Sequence, residues 1–170
     1  MTVEEVVGLI AATPDCRVLP AAGRPHVAEP RLLPDDLARF YDLCGGAVLF
    51  GSASYSTRIV PPAEVVPANP VIRGEAIEDD ISEAWYILAD DLNGDYFTID
   101  LSRERLGRCY DSFWDRHAQP GESQIVAETF TDFLLRMLDN EGRHWYFLQP
   151  EFVSLGDAYD GLEEPLEQST

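Results

Sequence analysis

The spacing of hydrophobic residues predicts a helix near each end of the chain. At the N-terminus, Thr2 and Glu5 fit a capping box, and the accompanying apolar stripe consists of Val3, Val6, Val7 and Ile10. Thr13-Pro14 is expected to end this helix. A second amphipathic helix is predicted to begin at Glu128 or Thr129 and to end within residues 140–142, with a stripe of Phe130, Phe133, Leu134, Met137 and Leu138.

A further helix is predicted between Leu33 and Gly46. Pro34 suits the first helical turn, where its missing N–H has no helical partner to lose. The i, i+3, i+4, i+7 spacing defines a buried face formed by Leu37, Phe40, Tyr41 and Cys44. Gly45 is expected to end the helix in the left-handed conformation.

Between these helices the pattern changes to short apolar or branched runs typical of β-strands. The runs cover residues 47–50, 55–60, 83–89, 95–101 and 107–113. Asn93-Gly94 lies between two of them and predicts a hairpin. Residues 14–30 contain four prolines and predict an irregular connector, while residues 63–82 predict a loop with at most one helical turn.

Helices at both ends of a run of strands predict an α+β fold, with a mainly antiparallel sheet of short strands and helices packed on one face. A chain of 170 residues suits one domain. We expect a single domain over residues 1–150, with its core at about 30–140, and an acidic C-terminal tail over 151–170 that frays at its end. The apolar run 145–148 predicts an added strand or a docking segment.

The charge balance limits the choice of partner. The chain has 12 arginines, no lysine and 31 acidic residues, which gives a formal net charge of −19. Such a domain repels phosphate backbones and anionic lipid, so direct binding of nucleic acid or a membrane is not expected. A basic protein partner would be steered toward it. The alternative interpretation is that the charge serves solubility alone.

The cysteines and the N-terminus favour a reducing, cytoplasmic location. Cys16, Cys44 and Cys109 form no CxxC pair and no zinc-type spacing with histidine. Free thiols are the default in a reducing compartment, and Cys44 is expected in the core. The N-terminus lacks a signal-peptide pattern, and no apolar run approaches the ~18 residues that span a bilayer.

No pattern in the chain predicts catalysis, a metal site or a cofactor. Asp91 to Asp95 resemble the start of a calcium loop, but Tyr96 and Ser102 occupy its glycine and glutamate positions. The sequence also lacks GxSxG, GxGxxG and P-loop motifs. The histidines are interpreted as ordinary surface residues, and they are His26, His117 and His144.

A partner-binding surface is the candidate site that remains. Trp114 is flanked by polar residues and resembles an interface anchor, although it could instead cover a sheet edge. Trp85 belongs to the alternating pattern of the predicted strand over residues 83–89 and is expected in the core. The predicted partner-binding residues, assumed to lie on exposed loops, are Glu75, Glu78, Asp79, Asp80, Asp111, Trp114 and Asp115.

The order of these elements resembles the SUKH superfamily, which includes fungal cell-wall assembly regulators and many bacterial immunity proteins. Four stretches carry the resemblance. They are the helix from Leu33-Pro34 to Cys44-Gly45-Gly46, the strand end Ile59-Val60-Pro61, the Trp85 strand followed by Asn93-Gly94-Asp95 and Ile99-Asp100-Leu101, and the closing segment from Ile125 to Leu134. The connector before residue 31 and the segment after Arg143 depart from the pattern.

The resemblance implies an α+β fold without catalytic residues. It implies a non-catalytic immunity protein that binds and neutralises a cognate toxin, for which a basic nuclease is the class that the charge favours. The alternative is a regulatory scaffold or adaptor similar to the fungal regulators, which would bind several intracellular partners. An enzyme of unfamiliar type is a third hypothesis, and it predicts a deep pocket with titrating groups.

Overall fold

The protein is described by a computed structural model that covers residues 1–162. Its centre is one sheet in which every neighbouring pair of strands is antiparallel and the strands follow in chain order. The strands are β1 (Arg17–Val18), β2 (Ala47–Leu49), β3 (Thr57–Ile59), β4 (Trp85–Asp90), β5 (Tyr96–Asp100), β6 (Cys109–Ser112) and β7 (Ile125–Ala127).

A helix precedes the first strand and another follows the last, as predicted, while two helices lie between strands, after β1 and after β3. The helices are α1 (Val3–Ala12), α2 (Asp35–Leu43), α3 (Ala68–Arg73) and α4 (Phe130–Asn140), with short 3-10 helices at Pro62–Glu64, Ile81–Ala84 and Tyr146–Leu148. The α+β prediction is therefore confirmed. Within residues 1–162, no helix is long and apolar enough to cross a membrane.

Local sequence explains where α1 and α2 begin and end. The Glu5 N–H donates to Thr2 Oγ1 at 3.2 Å and the Thr2 N–H donates to Glu5 Oε2 at 2.9 Å, which confirms the capping box. The prediction that Gly45 adopts a left-handed conformation is wrong, because Gly46 has the positive φ, at 119°. Gly45 is required for space instead, since a Cβ there would collide with the carbonyl oxygen of Pro20.

The two faces of the sheet are covered differently. On one face, Phe97 packs against Phe133 of α4 with ring centroids 5.3 Å apart, and α1, α2 and α4 contact one another. Side chains alternate along β5, so the neighbouring Thr98 lies on the opposite face. There Trp85 packs on Tyr110 at 4.4 Å, and Trp85 is fully buried as predicted. The three longer helices thus share one face, while irregular segments reach Trp85 on the other.

The C-terminal segment lies against the last strand of the sheet. The Ile125 N–H donates to the Gly156 carbonyl at 2.9 Å, and the Ala158 N–H donates to the Ser123 carbonyl at 2.8 Å. The 145–148 run forms a 3-10 helix whose Phe147 is buried against the core, so it docks and does not add a strand. The boundary at residue 150 stays a prediction, and the expected fraying falls on residues 163–170, outside the described part of the chain.

Candidate partner-binding surface

The first predicted acidic loop lies between α3 and the 3-10 helix Ile81–Ala84. Glu75, Glu78 and Asp79 are exposed there, as the sequence predicted. Asp80 is half-buried, since its Oδ2 accepts from the Ser82 N–H at 3.0 Å and from the Tyr159 hydroxyl at 2.8 Å. Asp80 therefore connects this loop to the C-terminal segment.

The second predicted loop is the turn that follows β6. The Trp114 N–H donates to Asp95 Oδ1 at 2.9 Å, which attaches this turn to the β4–β5 hairpin. The Trp114 side chain nevertheless projects into solvent, with 66% of the residue exposed. The alternative in which Trp114 covers a sheet edge does not fit this exposure. Asp115 is exposed beside it, and its Oδ1 lies 3.7 Å from Arg116 Nη1.

Asp111 is a correction to the predicted surface. Only 1% of the residue is exposed, because the turn after β6 brings the Arg116 side chain back over the end of the strand. Asp111 Oδ2 accepts from Arg116 Nε at 2.6 Å, and Oδ1 accepts from the Phe113 N–H at 3.1 Å. Burial raises the pKa of Asp111, and the guanidinium opposes part of that shift. Asp111 therefore supports the turn, and its carboxylate is not exposed as the sequence predicted.

Two adjoining grooves connect parts of the two predicted loops, although Glu75, Glu78 and Trp114 line neither groove. The first groove, of about 730 Å³, is bordered by Asp115 and the C-terminal segment. The second, of about 610 Å³, is bordered by Asp79, Asp80 and the same segment. Residues common to both walls are Gly121, Asp157 and Asp160. We call the two together the joined groove.

The joined groove is strongly acidic. Its single lining cation among the described residues is Arg116, whose guanidinium is bound to Asp111. The remaining charged lining residues are carboxylates, contributed by Asp79, Asp80, Asp111, Asp115, Glu122, Asp157 and Asp160. Sequence analysis did not include Glu122, Asp157 or Asp160, because no local pattern shows that residues 154–162 return to the edge of the sheet.

A buried polar cluster lies beneath the two loops and corrects the interpretation of His117. The His117 ring is fully buried, with Nε2 2.6 Å from Asn69 Oδ1, and Asn69 Nδ2 donates to Ser82 Oγ at 3.0 Å. Burial lowers the pKa of His117 from 6.5 to about 4, and the nearby Arg73 charge acts in the same direction. His117 is therefore neutral at physiological pH and joins the loop after β6 to α3.

The thiols and the other potential metal ligands are not grouped into a metal site in the described residues. Within residues 1–162, no group of three or more His, Cys, Asp or Glu side chains is arranged to hold a metal ion. Cys44 and Cys109 are buried free thiols, and burial raises the pKa of both. The burial of Cys44 confirms its predicted place in the core.

The geometry defines a class of protein: a small α+β domain with a sequential antiparallel sheet and an open, acidic surface formed by loops. The family model described as the SMI1 / KNR4 family (SUKH-1) matches residues 30–136. The chain belongs to this family, which confirms the resemblance found in the sequence. It is also similar to "Immunity protein YokJ" of Bacillus subtilis (strain 168), with 52% identity over 163 residues that cover 96% of this chain and 99% of that protein.

Proposed function

We propose that this protein is an immunity protein, which binds a cognate bacterial toxin and neutralises it without transforming any substrate. The observation that carries the proposal is the 52% identity to Immunity protein YokJ. That similarity extends over nearly the full length of both chains, so it includes the loops and the C-terminal segment as well as the core.

The toxin that fits this surface best is a basic protein, and a nuclease is the class we propose. A nuclease binds a polyanion and therefore carries a cationic cleft. The net charge of −19 and the acidic joined groove complement such a cleft, and complementary fields accelerate association. The same charge disfavours direct contact with nucleic acid or anionic lipid.

The partner-binding residues form the second part of the proposal. From the predicted set we retain the exposed or half-exposed members, which are Glu75, Glu78, Asp79, Asp80, Trp114 and Asp115. Asp111 is left out because its carboxylate is buried against Arg116. Trp114 supplies the aromatic surface that binding hot spots favour.

The cytoplasm is the proposed place of action. Cys16, Cys44 and Cys109 are free thiols, which agrees with a reducing compartment. A toxin that attacks nucleic acid acts inside the cell, so its antidote must meet it there.

Identification of a secreted protein with a toxic C-terminal domain in the neighbouring genes, followed by co-expression of that domain with this chain, tests the function. We expect growth to be restored and the two purified chains to elute as one complex. Expression of an unrelated SUKH-1 protein with the same toxin is the control, and it should give no protection. Toxicity that persists at full expression, with no complex, would refute the proposal. Several intracellular partners without protection would favour the regulatory scaffold.

A further inference from the structure

Two exposed hydrophobic side chains lie on neighbouring turns at one end of the sheet. Leu92, 55% exposed, belongs to the turn between β4 and β5, and Trp114, 66% exposed, belongs to the turn after β6. β4 and β6 both pair with β5, and paired strands are ~4.8 Å apart, so β4 and β6 are about 10 Å apart. The Trp114 N–H donates to Asp95 Oδ1 at 2.9 Å, which joins the two turns. The sheet therefore presents Leu92 and Trp114 at the same end.

The backbone of Leu92 makes a leucine an unfavourable choice at this position. Its φ is 60°, a left-handed conformation that glycine, asparagine and aspartate adopt more readily. Among the described residues, Phe50 is the only other large apolar residue with a positive φ, and its side chain is buried in the core. Leu92 has the strained backbone without the burial, so neither local propensity nor packing explains it. Such strain is typical of functional positions.

Carboxylates hold the Leu92 turn in shape. The Leu92 N–H donates to Asp90 Oδ1 at 3.1 Å, and Arg58 Nη2 donates to Asp90 Oδ2 at 2.6 Å. Asp91 Oδ1 accepts from the Asn93 N–H at 2.8 Å on the other side of the turn. A preformed turn loses little conformational entropy when a partner binds, which favours affinity.

The charge at this end of the sheet selects the kind of partner. Asp91 and Asp95 are half-buried and Asp115 is exposed in the same two turns. Two arginines contact these turns, Arg58 and Arg116, and each is bound by a buried aspartate at 2.6 Å. A second copy of this chain would bring the same carboxylates and a net charge of −19, so it would be repelled. A basic protein would be attracted.

We propose that Leu92 and Trp114 are the two apolar anchors with which this protein binds its toxin, and that they contact an apolar patch of the toxin bordered by arginine or lysine. The inference rests on the proposed function, because the toxin is the basic partner that function assigns. It adds the β4–β5 turn to the loops already proposed. Protein interfaces commonly combine such a small apolar centre with a polar rim.

Thermal unfolding of the free full-length chain tests the role of Leu92 without the toxin. Leu92→Asn replaces an exposed leucine by a residue that tolerates the left-handed conformation, so the Tm should stay the same or rise. A Tm lowered by more than about 3 °C would show that the leucine supports the fold, and it would overturn the inference.

Surface plasmon resonance with the toxin domain identified among the neighbouring genes tests the contact. Trp114→Ala keeps the backbone N–H bond and should weaken the Kd by about 30-fold or more, and Leu92→Asn by about 10-fold. Leu92→Met keeps an apolar side chain and should stay within about 3-fold of the wild type. The matched control is Leu106→Asn, at an exposed leucine in the connection 101–108 at the opposite end of the sheet. It should change the Kd by less than about 2-fold.

The association rate at low and high salt tests the charge of the partner. Association of the wild-type chain should slow as salt increases, and Asp115→Asn should slow it at low salt and reduce the salt dependence. Glu104→Gln, at an exposed acid in the connection 101–108, is the control and should have a smaller effect. Association that does not depend on salt would show that the toxin surface is not basic, and it would overturn the inference.

The outcomes separate the two proposals. If the wild-type chain does not bind the toxin, the proposed function fails and the inference fails with it. If it binds, but Leu92→Asn and Trp114→Ala both match Leu106→Asn, the function stands and this surface is wrong. A concentration-dependent dimer that Trp114→Ala removes would show that a second copy covers the surface, and it would also overturn the inference.

Discussion

The buried His117 makes the stability of the fold depend on pH in a defined window. Burial and the Arg73 charge lower the pKa of His117 to about 4, while Asp80 opposes them. In the unfolded chain the ring takes its ordinary pKa of 6.5. As the pH falls below 6.5, the unfolded state gains a proton that the folded state does not bind until about pH 4. The free energy of unfolding therefore decreases through this window.

The size of the effect follows from the two pKa values. They differ by about 2.5 units, and each unit corresponds to about 1.4 kcal/mol, so His117 alone should remove about 3 kcal/mol of stability between pH 6.5 and pH 4. The contribution is flat above pH 6.5, where both states are neutral. His117→Gln removes the titration and retains an amide N–H that can donate to Asn69 Oδ1.

Urea unfolding followed by circular dichroism from pH 7.5 to pH 4.5 measures this effect. Both chains share the same carboxylates. The pH-dependent contribution of these carboxylates to the free energy of unfolding therefore cancels when the wild-type chain is compared with His117→Gln. The wild type should lose more stability than the variant on acidification, after a constant offset for altered packing. His26→Gln, at an exposed histidine, is the control and should follow the wild type. Parallel curves for the wild type and His117→Gln would refute the reasoning.

Three further substitutions test the core, the helix cap and the close backbone approach. Phe97→Ala should lower the free energy of unfolding in urea by about 3–5 kcal/mol, because the ring is fully buried. Thr2→Ala should cost about 1 kcal/mol in the same assay, since the hydroxyl caps the Glu5 N–H. Gly46→Ala should lower the Tm strongly, given its φ of 119° and a Cβ that would meet a carbonyl oxygen at 2.6 Å. Gly8→Ala is its control, with open space in α1, and should raise the Tm; a fall as large as that of Gly46→Ala would contradict this explanation.

The parts of the fold that the sequence predicted correctly depend on local chemistry. The hairpin between β4 and β5 is an example, because Gly94 adopts a φ of 95° and Asp91 Oδ1 accepts the Asn93 and Asp95 N–H groups at 2.8 and 2.9 Å. Most residues of the apolar stripes predicted for α1, α2 and α4 are likewise buried in the structure.

The missed strands depend on pairing with distant residues. β1 has two residues in the proline-rich connector, too few for an alternating pattern, and it forms because Arg17 and Val18 pair with β2. β7 has three apolar residues that end two residues before α4, so the sequence alone does not separate them from the closing helix segment. A short apolar run alone does not show whether it forms a strand or part of a helix. Its pairing with another strand decides this.

The candidate site was predictable only where its residues are conspicuous on their own. Charge and a polar-flanked tryptophan indicated the loops of Asp79 and Trp114. The burial of Asp111 and His117 was missed because each is covered by a tertiary contact, from Arg116 and Asn69 respectively. The position of Asp157 in the groove wall depends on the return of the chain to the sheet edge after α4, which no local pattern shows.

The central claim is that the protein neutralises a toxin by binding it and transforms nothing. Titration of purified toxin with increasing amounts of this chain tests that claim most directly, with residual toxin activity measured after short and long incubation. The account predicts a linear fall in activity to zero at a fixed stoichiometric ratio, independent of incubation time. Inactivation of many toxin molecules by each chain, increasing with time, would contradict it.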